Sequence, residues 1–179
     1  MATDTAQQIS PIEDVYPLSA LQENMVSCSQ STAKPGQDVE QVVGDLVEAI
    51  EVEAFACAWE KIVQRHSVLR SGFAWAELPR PHQEVRRRIT VPLKQIDWRG
   101  LPGSEQDQAF GEWLKADRLQ GFDLSEPPLV RANLFRFGEA RFRFVWTFHH
   151  ALLDATSFAL VLEELFALYE AARKRQELD

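Results

Sequence analysis

Between Arg141 and Phe148 the chain reads RFRFVWTF, with Phe142, Phe144, Trp146 and Phe148 at every second position. Successive side chains of a β-strand point to opposite faces, so this alternation gathers four aromatic rings on one face. A face of that kind calls for a covering layer. The stretch before it, PPLVRANLFRFGEA, supplies a hairpin partner with the turn at Gly138-Glu139, and residues 155 to 173 follow with helical spacing. That last helix buries Phe158, Val161, Leu162, Leu165 and Tyr169, and its basic end, Arg173 to Arg175, suits the helix dipole.

The rest of the chain alternates irregularly between strand and helix. Residues 1 to 14 are polar and read as a flexible N-terminus, leaving 15 to 179 as one domain. YPLSALQENMVSCSQ reads as a helix with Pro17 near its start and Leu18, Leu21 and Met25 on one face. STAKPGQDVE is a loop and QVVGDLVEAI a strand. EVEAFACAWEKIVQRH is the clearest helix: Phe55, Trp59, Ile62 and Val63 recur at helical spacing, with acidic residues in front and Arg65 and His66 behind. SVLRSGFAWAEL reads as a strand, HQEVRR and VPLKQIDW as short strands. Ser104 to about Leu119 is a helix with Phe110 and Leu114 inward, closed by Gly121. This order predicts an α+β fold, a mixed β-sheet with helices packed against it.

Composition narrows the partners. With 179 residues, the chain carries a net charge of −8 and a pI near 5.1. Phosphate binding needs a positive surface, so nucleic acid is excluded as a partner. Arg86, Arg87 and Arg88 are the one basic cluster and read as a solvated strand end. Cys28 and Cys57 make neither a disulfide framework nor a zinc site. No signal-peptide core and no apolar run of membrane-spanning length is present in the sequence, which points to a cytoplasmic protein with no membrane partner.

The chemistry concentrates in FHHALLDATSF, where the aromatic strand gives way to the last helix. Strand parity puts His150 on the aromatic face and His149 on the opposite one. One reading is structural: Asp154 caps the last helix, Leu153 and Phe158 form its hydrophobic staple, and the two histidines end a strand. A metal site fails on ligand count, because His66 and His82 have no partner spacing. A third reading is general acid–base chemistry, since histidine titrates near neutrality and a strand-to-helix junction exposes it to a cleft. The chain has no GxSxG, and neither cysteine sits in a nucleophile motif, so direct transfer between two substrates fits better than an acyl-enzyme. The residues by themselves leave the structural and acid–base readings open.

HHALLDA resembles the HHxxxDG signature of condensation domains of nonribosomal peptide synthetases. YPLSALQENM resembles the family's opening motif, carried by Ser19 and Gln22. RHSVLRSGF resembles its second motif, with Arg65, His66, Leu69, Arg70 and Phe73 in place, and GFDLSEPPLVRANLFR its lead into the catalytic strand. The resemblance spans about residues 14 to 173. It implies a chloramphenicol-acetyltransferase-like fold made of two half-domains, of which this chain is the N-terminal one. Substrates would arrive as thioesters on the phosphopantetheine arms of carrier proteins, with no cofactor bound directly, and an amide would form at the interface with the C-terminal half.

By motif position the resemblance makes His150 the catalytic histidine, as base or as positioner of the amine, and His149 a supporting residue. It makes Asp154 a structural aspartate paired with arginine, and Arg70 a support of the site where the bland reading is a surface charge on a strand. Ser19, Gln22 and Ala155 fall along the substrate tunnel. Two positions depart from the family pattern: Ala155 replaces the motif glycine and Ser71 the usual threonine. Other readings are a non-catalytic carrier-protein-binding module, a degenerate remnant, or an epimerization-domain half. A half-domain alone would hold His150 on an open face and expose an inter-half surface suited to self-association.

Overall fold

The computed structural model describes residues 10–31, 34–75 and 80–176. The aromatic strand, β7 (Arg141–His149), lies inside a four-stranded sheet of order β2-β7-β6-β5. Its neighbours are β2 (Val39–Leu46) and β6 (Val130–Gly138), both antiparallel to it, and β5 (Leu93–Asp97) runs parallel to β6. Phe142, Phe144, Trp146 and Phe148 share one face, as the alternation requires, and belong to the main core. Two helices cover that face: α2 (Val52–Arg65) and α4 (Ala155–Arg173).

The contact between layers is largely aromatic. Phe55 of α2 meets Phe144 edge-on at 5.2 Å and Tyr169 of α4 at 5.3 Å. Trp59 stands edge-on to Phe144 and Trp146, and its indole N–H donates to the Val91 carbonyl at 2.8 Å. Each such pair adds about 0.5–1.5 kcal/mol to the burial of its rings. Tyr169 uses its polar end as well, its hydroxyl accepting the Glu51 N–H ahead of α2. Glu164 of α4 bonds both Arg65 and His66, tying the two helices together at the end of α2.

The opposite face of the sheet carries Phe135, Phe137 and Val145, packed with Phe110 of α3 (Gly103–Gln120). Leu114 packs on the rim of this smaller cluster. α3 ends at Gly121, whose φ of 61° suits a residue without a Cβ. Asp117, 4% exposed, accepts from Arg131 of β6, Thr147 of β7 and Gln41 of β2, so a buried carboxylate ties α3 to three strands.

Several sequence expectations change. A second, antiparallel sheet of order β1-β4-β3 accompanies the mixed one. Its edge strand, β1 (Ile12–Pro17), takes in residues 12–14 of the segment read as a flexible N-terminus; residues 1–9 lie outside the described residues. β1 pairs with β4 (His82–Arg86) while five of its six side chains stay exposed, so no hydrophobic alternation marks it in the sequence. Tyr16 and Pro17 therefore end a strand, and the first helix, α1, spans Ala20–Ser31. Leu21, expected inward, is 63% exposed, and Val26 is buried instead. SVLR forms a 3-10 turn (Ser67–Arg70) ahead of the short β3 (Ser71–Ala74), and residues 76–79 of the expected strand lie outside the described residues.

Candidate functional site

β7 ends at His149, paired with Val39, and the chain turns at His150 before α4 begins at Ala155. The strand parity therefore stops one residue short of His150. His149 keeps its strand position, 4% exposed, on the side opposite Phe148. Its Nδ1 accepts the Ala151 N–H at 3.2 Å, so the neutral ring carries its proton on Nε2. Burial lowers its pKa, with Asp38 opposing and His150 adding to the effect. His149 is thus held neutral, as a brace for the turn that follows it.

His150 is half-buried, rather than laid open as expected of a half-domain. Its N–H donates to the Asp38 carbonyl at 2.8 Å. Its Nδ1 is buried and has no hydrogen-bond partner among the described residues. Arg70 Nε and Trp146 Nε1 are likewise buried and unpaired, so this nitrogen alone does not set His150 apart; its Nε2 is neither paired nor fully buried among the described residues.

Asp154 is the N-cap of α4, and its Oδ1 accepts the Ser157 N–H at 2.7 Å. That bond, with a smaller contribution from the Ser157 hydroxyl and a weak one from His150, lowers its carboxyl pKa. The arginine pairing implied by the resemblance is absent among the described residues; the side chain is committed to the helix start, whose positive dipole end already favours a carboxylate. Leu153 and Phe158 both join the main core, as a staple requires. Ala155 is exposed at the first position of α4 and has no positive φ, so its methyl strains no backbone.

Ser19 and Gln22 form a capping box at the start of α1. Ser19 Oγ accepts the Gln22 N–H at 3.3 Å and Gln22 Oε1 accepts the Ser19 N–H at 3.0 Å. The Gln22 amide then reaches the histidine turn, donating to the Ala151 carbonyl at 3.2 Å, and also to Gln83 Oε1 at 3.0 Å. Arg70 is 5% exposed, not a surface charge. Its guanidinium donates to Glu13 at 2.7 Å and to the carbonyls of Arg86 and Arg87, joining β1 and β4. Among the described residues Arg70 makes no hydrogen bond or ion pair to residues 149–155. Sequence reasoning missed Gln83 and Asp38, whose roles depend on neighbours far away in the chain. No group of three or more metal-ligand side chains comes together among the described residues.

A family model described as Condensation domain matches residues 12–179. The chain belongs to the condensation-domain family. It is 42% identical over 166 residues to a linear gramicidin synthase of Brevibacillus parabrevis, a match covering 93% of this chain and 3% of that protein. It is 31% identical over 167 residues to surfactin synthase subunit 3 of Bacillus subtilis (strain 168), covering 92% and 13%. The starter condensation domain of rhizomide synthetase superposes with a TM-score of 0.84 at 18% identity, over 93% of this chain and 41% of that one. The first condensation domain of the calcium-dependent antibiotic synthetase, in complex with a substrate analogue, gives 0.85 at 21% identity, over 94% and 42%. The fold is thus the α+β, chloramphenicol-acetyltransferase-like fold of condensation domains. No helix among the described residues is long and apolar enough to cross a membrane.

Proposed function

We propose that this chain supplies the N-terminal half of a peptide-bond-forming condensation domain and contributes His150 to its reaction. The observation that carries the reading is His150 itself. It follows a strand end, its backbone is fixed by Asp38, and its half-buried ring leaves Nε2 neither hydrogen-bonded nor fully buried among the described residues. The matches to peptide synthases and to condensation domains support the same assignment.

In this reading an acceptor amine and a donor thioester, each on the phosphopantetheine arm of a carrier protein, meet at His150. The amine nitrogen attacks the thioester carbonyl, the C–N bond forms, and the C–S bond breaks. His150 takes the proton from the amine and passes it to the departing thiolate, or holds the amine in line by a hydrogen bond. His149 and Asp154 hold the turn from either side. Ala155 places a methyl beside the turn, where the donor arm approaches. Nothing covalent forms on the chain, in keeping with the lack of a nucleophile motif.

The test is a condensation assay with carrier-bound donor and acceptor in the complete domain. His150→Ala should lower the rate by about 100-fold or more, the range for losing an acid–base group, with the melting temperature retained. A His150→Ala domain at full rate would overturn the reading. A wild-type complete domain that binds carriers and forms no amide would instead support the non-catalytic module.

A further inference from the structure

We infer that Gln83, acting through Gln22, is a positioning residue for the turn that presents His150. This rests on the proposed role of His150. Gln83 lies on β4, opposite Tyr16 of β1 and Phe73 of β3. Its amide donates to Ser71 Oγ at 2.8 Å, and Ser71 Oγ donates in turn to the Ser67 carbonyl at 2.9 Å. Gln83 Oε1 accepts from Gln22, and Gln22 also donates to the carbonyl of Ala151, the residue after His150.

The polarity of this line is fixed from both ends. The Ser67 carbonyl can only accept, so the Ser71 hydroxyl donates to it and receives from the Gln83 NH₂ group. That turns Gln83 Oε1 toward Gln22, which must answer with its own NH₂. From the other end, the Ser19 N–H can only donate, so it claims Gln22 Oε1 and again leaves the Gln22 NH₂ facing Gln83 and Ala151. Both ends select the same amide orientation. The two peptide groups flanking Ala151 are consequently both held: its N–H by His149 Nδ1 and its carbonyl by Gln22. The second sheet thus supports the histidine turn through Gln22 of α1, with Gln83 of β4 and Ser71 of β3 behind it.

Fixed polarity gives a test that overall stability does not mimic. Gln83→Glu keeps an acceptor toward Gln22; the Ser71 hydroxyl then turns to donate to it and gives up the Ser67 carbonyl. Gln83→Leu removes the acceptor, and Gln22→Glu sets a carboxylate oxygen against the Ala151 carbonyl. In the complete domain, Gln83→Leu and Gln22→Glu should lower kcat by about 10- to 100-fold, as misplacement of a reacting group does, with KM for the carrier-bound donor little changed. Gln83→Glu should stay within about threefold of wild type, since it preserves the contact to Gln22. In the 179-residue chain, the His150 ring resonances should move in the first two variants and stay in place in the third. Melting temperatures recorded alongside identify any variant that fails to fold, and the ring resonances of the remaining variants then decide. Wild-type kcat and unmoved resonances in Gln22→Glu and Gln83→Leu would overturn the inference, as would equal losses in Gln83→Glu and Gln22→Glu. His150→Ala in the same assay separates the two claims. If it is inactive while Gln22→Glu and Gln83→Leu are fully active, only the positioning role fails; if it is fully active, the reading of the site fails.

Discussion

A carboxylate that caps a helix and one that answers a buried arginine respond differently to substitution. Asp154 does the first, since Ser157 N–H is its partner and no arginine reaches it among the described residues. Asparagine caps helices about as well as aspartate, whereas alanine does not. Asp154→Asn should therefore melt close to wild type and Asp154→Ala several degrees lower, read by circular dichroism; equal losses in both would restore a charge-pairing role. His149 gives a pH prediction. Burial depresses its folded pKa below the usual 6.5, so as pH falls below that value the unfolded chain takes up a proton that the folded chain does not. Unfolding is then favoured, and stability declines from pH 7 until the folded pKa is reached. Melting curves between pH 5 and 7 should show this slope, and His149→Gln should flatten it.

Between elements, Arg70 adds a buried side-chain tie to the backbone ladders of the second sheet. Its buried guanidinium serves the carbonyls of Arg86, the last residue of β4, and of Arg87 after it, as well as Glu13, while the Glu13 side chain is 41% exposed. Removing the guanidinium leaves carbonyls without their donor, a cost of about 1–3 kcal/mol for each group left unsatisfied. Removing a half-exposed carboxylate costs under about 1 kcal/mol. Urea denaturation should show Arg70→Ala losing roughly 3 kcal/mol or more, with Glu13→Ala much milder. Equal losses would mean that the contribution of Arg70 lies in its ion pair with Glu13 and not in its bonds to the two carbonyls. Because β3 and β4 also carry Ser71 and Gln83, a loosened sheet would be felt at the histidine turn.

At the scale of the whole molecule, this chain covers 41% of the starter condensation domain it superposes on. If the remaining part walls the tunnel, the 179-residue chain alone lacks the surface that aligns thioester and amine. Alignment supplies about 7–11 kcal/mol of a bimolecular barrier. No amide should form from carrier-bound substrates with the chain alone, and adding a matching C-terminal half should recover the reaction. Robust amide formation by the chain alone would sink the half-domain reading. Large apolar side chains stand exposed at several places, among them Val15, Leu21, Val47 and Leu160 at 48%, 63%, 85% and 61%; only where such residues form a contiguous patch do they mark an interaction surface. Sedimentation of the chain alone should show self-association that the C-terminal half suppresses; a strictly monomeric chain would argue against an exposed inter-half surface.

The features legible in the sequence are those set by neighbours close in the chain. The alternation from Phe142 to Phe148, the helical spacing of α2 and α4, the Asp154 cap and the hairpin each follow from contacts a few residues apart or from a fixed backbone period. The motif residues could also be read off directly, because they are consecutive. What only the tertiary structure decided involves partners distant in sequence: Gln22 with Gln83 across 61 residues and with Ala151 across 129, and Arg70 with Glu13 across 57. β1 escaped the pattern because its side chains stay exposed while its backbone finds a partner. The placement of His150 depends on both kinds of information. Its place at a strand-to-helix junction follows from local pattern, but the strand ends one residue before it, so the parity that put it on the aromatic face fails; its backbone bond to Asp38 and the hydrogen bond from Gln22 to Ala151 come from residues distant in sequence.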